Sequence, residues 1–265
     1  MRVIIVDDAA AVASASAAQI ARSVRELRAS GRAAVLGVAT GSSPLGTYAA
    51  LAGLVRAGEL DLSGVAAFAL DEYVGLAPRH PESYHAVIHR TVTEPLGLDP
   101  GLVHVPDGSA ADIGAACDGY ERDIVAAGGV DLQLLGIGAN GHIGFNEPTS
   151  SLASRTRIKT LAPKTREDNA RFFDSPGEVP MHCITQGIGT ILDARRLLLV
   201  AQGEGKADAV AAMIEGPVTS MCPASALQLH PDAIAVIDRA AAAGLALTDY
   251  YEYVERNRPP GAVRA

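Results

Sequence analysis

The sequence predicts an α/β fold in which helices cover both faces of a mainly parallel sheet. Apolar runs of strand length alternate along the chain with longer amphipathic or Ala-rich stretches, which is typical of strand–helix units. These runs are apolar throughout rather than at every second residue, as expected when both faces of a sheet are covered. At 265 residues and 48% hydrophobic, with no linker dividing it, the chain can bury a large core, so we expect one domain over 1–265.

Seven strands and six helices are expected along the chain. The strands are predicted at 3–6, 34–39, 66–70, 103–105, 131–135, 197–201 and 233–237. The helices are predicted at about 8–29, 44–57, 82–96, 109–127, 204–215 and 239–256. The first and fourth are rich in Ala, the strongest helix former. From about 155 to 185, charges and the prolines Pro163, Pro176 and Pro180 interrupt the alternation, which predicts an excursion or lid.

Composition and charge exclude several classes of partner. The net charge of −8 and the lack of a basic stripe interleaved with aromatics argue against nucleic acid. The apolar N-terminal run soon meets Asp7 and Asp8, and no other run could span a bilayer, so we expect neither a signal peptide nor a membrane partner. The widely spaced Cys117, Cys183 and Cys222 suit a reducing compartment rather than a disulfide framework or zinc site, which predicts a cytoplasmic protein.

Two loops that follow predicted strands are suited to an anion. Ligands of such sheets bind beyond the carboxyl ends of the strands. Gly41 can adopt a positive φ, Ser43 can cap the next helix and Pro44 fits its first turn, which leaves N–H groups free to cradle a phosphate. Lys206 lies at a helix N-terminus, where the helix dipole makes a cation unfavourable. A bound anion would compensate, so this position suggests contact with a phosphate. An ordinary capped helix and a solvated lysine are the alternatives.

Two other loops carry titratable side chains. Asp71 and Glu72 end a strand, where neighbouring side chains point to opposite sides, so Asp71 can be a base while Glu72 anchors the loop; a solvated acidic turn is the alternative. A loop with four glycines carries Asn140, His142 and Glu147. A carboxylate paired with the imidazole would fix its tautomer and make it a proton shuttle near neutral pH. A structural histidine is one alternative, and a metal site, the other, lacks a second suitably spaced His or Cys.

With these motifs the chain resembles the glucosamine-6-phosphate deaminase family over nearly its whole length. The motifs that carry the resemblance lie at 39–41, 71–76, 80–84, 140–148 and 150–160. The resemblance implies a Rossmann-like three-layer sandwich with a mainly parallel sheet and a lid excursion. It also implies isomerisation and deamination of glucosamine 6-phosphate to fructose 6-phosphate and ammonia, in amino-sugar catabolism, with neither a redox cofactor nor a metal.

The resemblance assigns roles to the residues already singled out. Asp71 matches the proton acceptor that acts on C2 of the opened sugar, His142 the acid/base of ring opening and Glu147 its supporting carboxylate. Asn140 falls where some members carry Asp and others Asn, both assigned to ring opening. The sugar phosphate, the expected small-molecule partner, is implied to bind at five positions: Gly41, Ser42, Ser43, Arg171 and Lys206.

A second phosphate pocket is implied by the allosteric members of the family. Its residues would bind an N-acetylglucosamine 6-phosphate activator and match Ser150, Ser151, Arg157 and Lys159. A C-terminal aromatic completes the pocket, and Tyr250 is the first choice, with Tyr251 as its rival. A structural basic patch is the alternative. Because the pocket would lie at a subunit contact, the resemblance implies a homohexamer together with regulation.

Two other functions are alternatives to the deaminase. A 6-phosphogluconolactonase of the same fold would need no C2 base beside Tyr73, and the loops of Asp71 and His142 argue against it. A sugar-phosphate sensor that does no catalysis would normally carry a helix-turn-helix extension, for which this chain has no room. Release of ammonia would distinguish the three.

Overall fold

A computed structural model describes residues 1–259, and the predicted domain's last residues, 260–265, lie outside the described residues. The strands are β1 (Arg2–Val6), β2 (Val35–Val38), β3 (Ala66–Ala69), β4 (Asp71–Tyr73), β5 (Val103–His104), β6 (Leu132–Leu135), β7 (Arg157–Thr160), β8 (His182–Thr185), β9 (Leu197–Ala201) and β10 (Ala233–Asp238). The helices are α1 (Ala9–Ala29), α2 (Ser42–Arg56), α3 (Tyr84–Ile88), α4 (Glu94–Leu96), α5 (Ile113–Ala126), α6 (Pro163–Asn169), α7 (Ile188–Leu192), α8 (Ala207–Ile214) and α9 (Thr248–Arg256).

A seven-stranded sheet forms the middle layer of the molecule, in the order β1-β10-β9-β6-β2-β3-β5 with every pairing parallel. Its central strands β6, β9 and β10 are buried along their whole length. One core cluster joins the sheet to α1 and α2 through residues such as Ile20 and Leu51, and a second joins it to α5 and α8 through Ile124 and Met213. The predicted α/β class, with apolar strands covered on both faces, is therefore confirmed.

A second, three-stranded antiparallel sheet was not predicted. Its order is β4-β8-β7, with Asp71 opposite Thr185 and Arg157 also opposite Thr185. Both ends of the predicted excursion, β7 and β8, are therefore strands, and they pair with the short strand that carries Asp71. The interior of the excursion contains α6. These strands have only three or four residues each and include charged side chains, so they lack the apolar pattern by which the other strands were predicted.

The predicted helix at 239–256 was wrong over its first half. Only Thr248–Arg256 is α-helical, although the preceding stretch is rich in Ala. Its backbone N–H groups find partners outside a helix: Ala241 donates to the carboxylate of Asp238, and Ala246 and Leu247 donate to that of Glu215. A local bond to Asp238 and tertiary bonds to Glu215 thus replace the continuous helical ladder that Ala would favour.

Smaller differences concern helix ends and membrane character. The helix predicted at 204–215 begins as a 3₁₀ turn, Glu204–Lys206, before α8. The helix predicted at 82–96 is α3 and α4 joined by a π-helical turn over His89–Thr93. Within residues 1–259, no helix combines the length and apolar character that crossing a bilayer requires.

Candidate active site

A cavity of about 400 Å³ opens at the carboxyl ends of β2, β3 and β6. It brings together seven of the predicted site residues, namely Gly41, Ser42, Ser43, Asp71, His142, Arg171 and Lys206. Asn140 and Glu147 do not line this cavity but contact each other beside His142. The position agrees with the rule that ligands of parallel sheets bind beyond the carboxyl ends of the strands.

One wall of the cavity is the N-terminus of α2. Gly41 has a φ of +90° and is the N-cap, and the helix begins at Ser42. The prediction that Ser43 caps the helix was wrong, because Ser42 and Ser43 are its first two residues and no side chain caps it. The N–H groups of a first helical turn have no partner within the helix. This end of the cavity therefore offers uncapped N–H donors and two hydroxyl groups to an anion.

Two cations line the same cavity. Burial lowers the pKa of the Lys206 ammonium, nearby Asp168 opposes this, and the positive charge of Arg171 lowers it further. Arg171 also lies over the ring of Phe172, 4.7 Å from its centroid. An anion between Arg171 and Lys206 would relieve their repulsion, so the pair is suited to a phosphate.

Asp71 is buried where the two sheets meet. Burial raises the pKa of its carboxyl well above the usual range, and the charge of Glu72 adds to the effect. Within residues 1–259 its carboxylate accepts no hydrogen bond, although the residue lines the cavity. A desolvated carboxylate without a donor is more basic than one in water, which suits a group that must take a proton.

Glu72 points the other way and anchors the loop. Its carboxylate accepts from the backbone N–H groups of Tyr73, Tyr84 and His85 at 2.7–2.9 Å. Burial raises the pKa of Glu72, and these three bonds oppose the rise. The strand end and the start of α3 are thereby tied together, as the alternation of side chains along a strand predicted.

His142, Glu147 and Asn140 form a contiguous group. The imidazole Nδ1 lies 3.6 Å from Oε2 of Glu147, which also accepts from Nδ2 of Asn140 at 2.8 Å. Burial alone would raise the pKa of Glu147, but its contacts with His142, Thr165 and Asn140 lower it to about 2. The ionised carboxylate favours a proton on Nδ1 and leaves Nε2 for a ligand in the cavity.

The imidazole lies directly against the backbone of Gly138. A Cβ at that position would come within 2.2–2.5 Å of three ring atoms of His142. The N–H of Gly138 also donates to the carbonyl of His142 at 2.9 Å. The loop can hold the ring in this place only because residue 138 has no side chain.

Sequence reasoning missed the contribution of α6 to the site. Thr165 donates to Oε1 of Glu147, and Asn169 donates to the hydroxyl of Tyr73 at 2.8 Å. Both α6 residues line the cavity. Residues at i and i+4 share one face of a helix, so the spacing of two polar residues within the excursion was the available signal.

The residues predicted to bind an activator are only partly brought together. Ser150 is buried and its Oγ has no partner among the described residues, whereas Ser151 is exposed. Arg157 and Lys159 share one face of β7, which packs near α5. Tyr250 lies on α9, which packs on β1, and its ring contacts that of Tyr251. No hydrogen bond, ion pair or ring contact within residues 1–259 joins either tyrosine to β7.

Comparisons with known proteins agree with the geometry. Residues 7–236 match the family described as glucosamine-6-phosphate isomerases/6-phosphogluconolactonase. The chain is 55% identical over 258 residues to a glucosamine-6-phosphate deaminase of Cutibacterium acnes, with 97% of each chain covered. It is 58% identical over 260 residues to one of Streptomyces avermitilis, with 98% of each covered.

Solved structures share the fold. One described as a monomeric glucosamine-6-phosphate deaminase matches with a TM-score of 0.88 and 40% identity, covering 92% of this chain and 100% of that one. A 6-phosphogluconolactonase from Trypanosoma cruzi matches with a TM-score of 0.72 over 92% of this chain and 97% of that one. At 17% identity, this second likeness shows the fold alone.

Replacing Asp71 by Asn should stabilise the protein increasingly as pH rises. The folded-state pKa of Asp71 is raised, so ionising this carboxyl opposes folding above the unfolded pKa, and the cost grows until pH passes the folded pKa. The amide removes that cost, and each kcal/mol regained raises Tm by about 2–4 °C for a chain of this size. Thermal unfolding of both proteins at several pH values from 4 to 9 measures this difference in stability. A Tm of the variant equal to or below that of the wild type at the alkaline end would contradict the cost assigned to burying Asp71.

Replacing Gly138 by Ala should displace His142 and lower catalytic turnover about a hundredfold, because a misplacement near 1 Å can cost that much. Gly53→Ala is the matched control, since Gly53 lies within α2 and a Cβ there meets nothing within 4 Å. Steady-state kinetics of both variants make the comparison. Near-normal turnover in Gly138→Ala would show that the position of the imidazole is not critical.

Proposed function

The chain belongs to the glucosamine-6-phosphate isomerase/6-phosphogluconolactonase family, and we propose that within it the chain is a glucosamine-6-phosphate deaminase. The reaction isomerises and deaminates glucosamine 6-phosphate to fructose 6-phosphate and ammonia. One observation carries the proposal beyond the family: a buried carboxylate without a donor, Asp71, shares a cavity with a carboxylate-supported imidazole and a phosphate site.

Ring opening is assigned to His142. The cyclic sugar has no carbonyl at C1, so the proton on C2 becomes acidic only after the ring has opened. An imidazole with Nδ1 directed to Glu147 can accept the proton of the C1 hydroxyl at Nε2 and return it to the ring oxygen. Asn140 orients Glu147 but, as an amide, carries no charge of its own.

Isomerisation and deamination are assigned to Asp71. Its carboxylate takes the proton from C2 of the open aldehyde, and the aldehyde oxygen gains a proton from the substrate's ammonium group, which gives a neutral enolamine between C1 and C2. Return of a proton to C1 converts this enolamine into an iminium at C2. Water adds to the iminium carbon, ammonia leaves with the C–N electron pair, and the ketone of fructose 6-phosphate remains. The raised pKa of Asp71 suits a group that must both accept and return a proton.

The phosphate anchors the substrate. The N-terminus of α2, with Ser42 and Ser43, offers hydrogen-bond donors, and Arg171 and Lys206 supply positive charge from the same cavity. This binding energy can hold the reacting carbons against Asp71 and His142. In this assignment the side chains of the chain itself perform each step, and the reaction uses neither a cofactor nor a metal.

The proposal extends to regulation, assembly and location. Activation by N-acetylglucosamine 6-phosphate is supported by the buried, unpartnered Ser150 and by two cations on one face of β7. A homohexamer would supply the subunit contact that such a pocket needs, whereas a relative of 40% identity is described as monomeric. A cytoplasmic location is supported by Cys117, Cys183 and Cys222, which are all free thiols.

Incubation with glucosamine 6-phosphate should release ammonia and fructose 6-phosphate in equal amounts. Asp71→Asn should lose turnover by a factor of at least about 100 while still binding the substrate, because the amide keeps the shape of the carboxylate but cannot accept the C2 proton. Coupled assays of both products and calorimetric binding measure the two effects. A wild type that hydrolyses 6-phosphogluconolactone but releases no ammonia would overturn the proposal.

If the enzyme is allosteric, its saturation curve for substrate should be sigmoidal without activator. Addition of N-acetylglucosamine 6-phosphate should make this curve hyperbolic. Replacing Arg157 and Lys159 by Ala should abolish this response and preserve the maximal rate, since charge-assisted phosphate contacts can supply the usual coupling of about 1–3 kcal/mol. Saturation curves and the sedimentation mass of the wild type test regulation and assembly together. A hyperbolic wild-type curve that the acetylated sugar does not change would refute the regulatory part alone.

A further inference from the structure

Thr165 contacts the catalytic group from outside the loops that carry it. It lies on α6, is 6% exposed and lines the cavity. Its Oγ1 donates to Oε1 of Glu147 at 2.5 Å. None of the proton transfers assigned to Asp71 and His142 uses the Thr165 hydroxyl.

The two oxygens of Glu147 have separate donors on separate segments. Asn140, on the same loop as His142, donates to Oε2, and Thr165, on α6, donates to Oε1. With only the first bond the carboxylate could turn about its terminal bond. With both, its plane is fixed and Oε2 is held 3.6 Å from Nδ1 of His142, a distance that a small shift closes to a hydrogen bond.

We propose that Thr165 is a positioning residue, whose hydroxyl orients Glu147 so that this carboxylate holds His142 in the tautomer that ring opening needs. The inference rests on the proposed deaminase function for its effect on turnover, but the effect on the imidazole does not depend on which substrate is bound.

The position of α6 connects this contact with substrate binding. Asn169, one turn after Thr165, donates to the hydroxyl of Tyr73, and Arg171 follows two residues later at the phosphate end of the cavity. A phosphate bound by Arg171 would therefore stabilise α6 in this position, in which Thr165 donates to Glu147. Binding energy from the remote phosphate would thereby orient the group that opens the ring.

The test compares Thr165→Val, which keeps the shape but removes the hydroxyl, with Thr165→Ser, which keeps the hydroxyl. Thr165→Val should lower kcat about ten- to a hundredfold and change KM little. Thr165→Ser should restore most of kcat.

Nitrogen NMR of the His142 ring, assigned with His142→Gln, provides a readout without turnover. The wild type should show the Nδ1-protonated tautomer, and Thr165→Val should show a mixture. An unchanged tautomer in Thr165→Val, or a failure of Thr165→Ser to rescue kcat and the tautomer, would each overturn the inference. A wild type that releases no ammonia, with the tautomer still dependent on Thr165, would refute the deaminase function and leave the positioning role standing.

Discussion

The candidate site depends on the burial of one carboxylate where two sheets meet. The chain leaves the parallel sheet after β3, and after the single residue Leu70, Asp71 opens the strand that pairs with β8. This junction shields Asp71 from water and raises its pKa, at a cost in stability. The adjacent Glu72 holds this junction together, because its three backbone bonds join β4 to the start of α3.

The two acidic groups of the site are tuned in opposite directions by their surroundings. Asp71 has no donor and a raised pKa, whereas Glu147 has donors on both oxygens and a pKa of about 2. One carboxylate is thus prepared to take a proton and the other to stay ionised beside His142. Because Thr165 belongs to the segment that also carries Arg171, the environment of Glu147 is linked to the phosphate end of the cavity.

Most of the fold and the main site residues could be predicted from local pattern. The strand predicted at 197–201 was found residue for residue, and the other six strands of the large sheet differ from prediction by one or two residues at their ends. Buried parallel strands are long apolar runs, so burial and sequence pattern coincide there. The small sheet was missed because its strands are short and partly charged, and their stability comes from pairing rather than from apolar periodicity.

The sequence by itself determined the α/β class, the loops at the carboxyl ends of the strands, and the identity of Asp71, His142 and Glu147 as groups able to move or stabilise a proton. Glycine spacing, helix starts and residue type are local properties, which a sequence displays directly. Only the tertiary structure decided that α6 folds back so that Thr165 reaches Glu147, and that Ala-rich residues after β10 bond to Asp238 and Glu215 instead of forming a helix. The contacts of Glu147 and of Glu215 join residues well separated in the chain, and their stability depends on the burial and geometry that the assembled sheets impose.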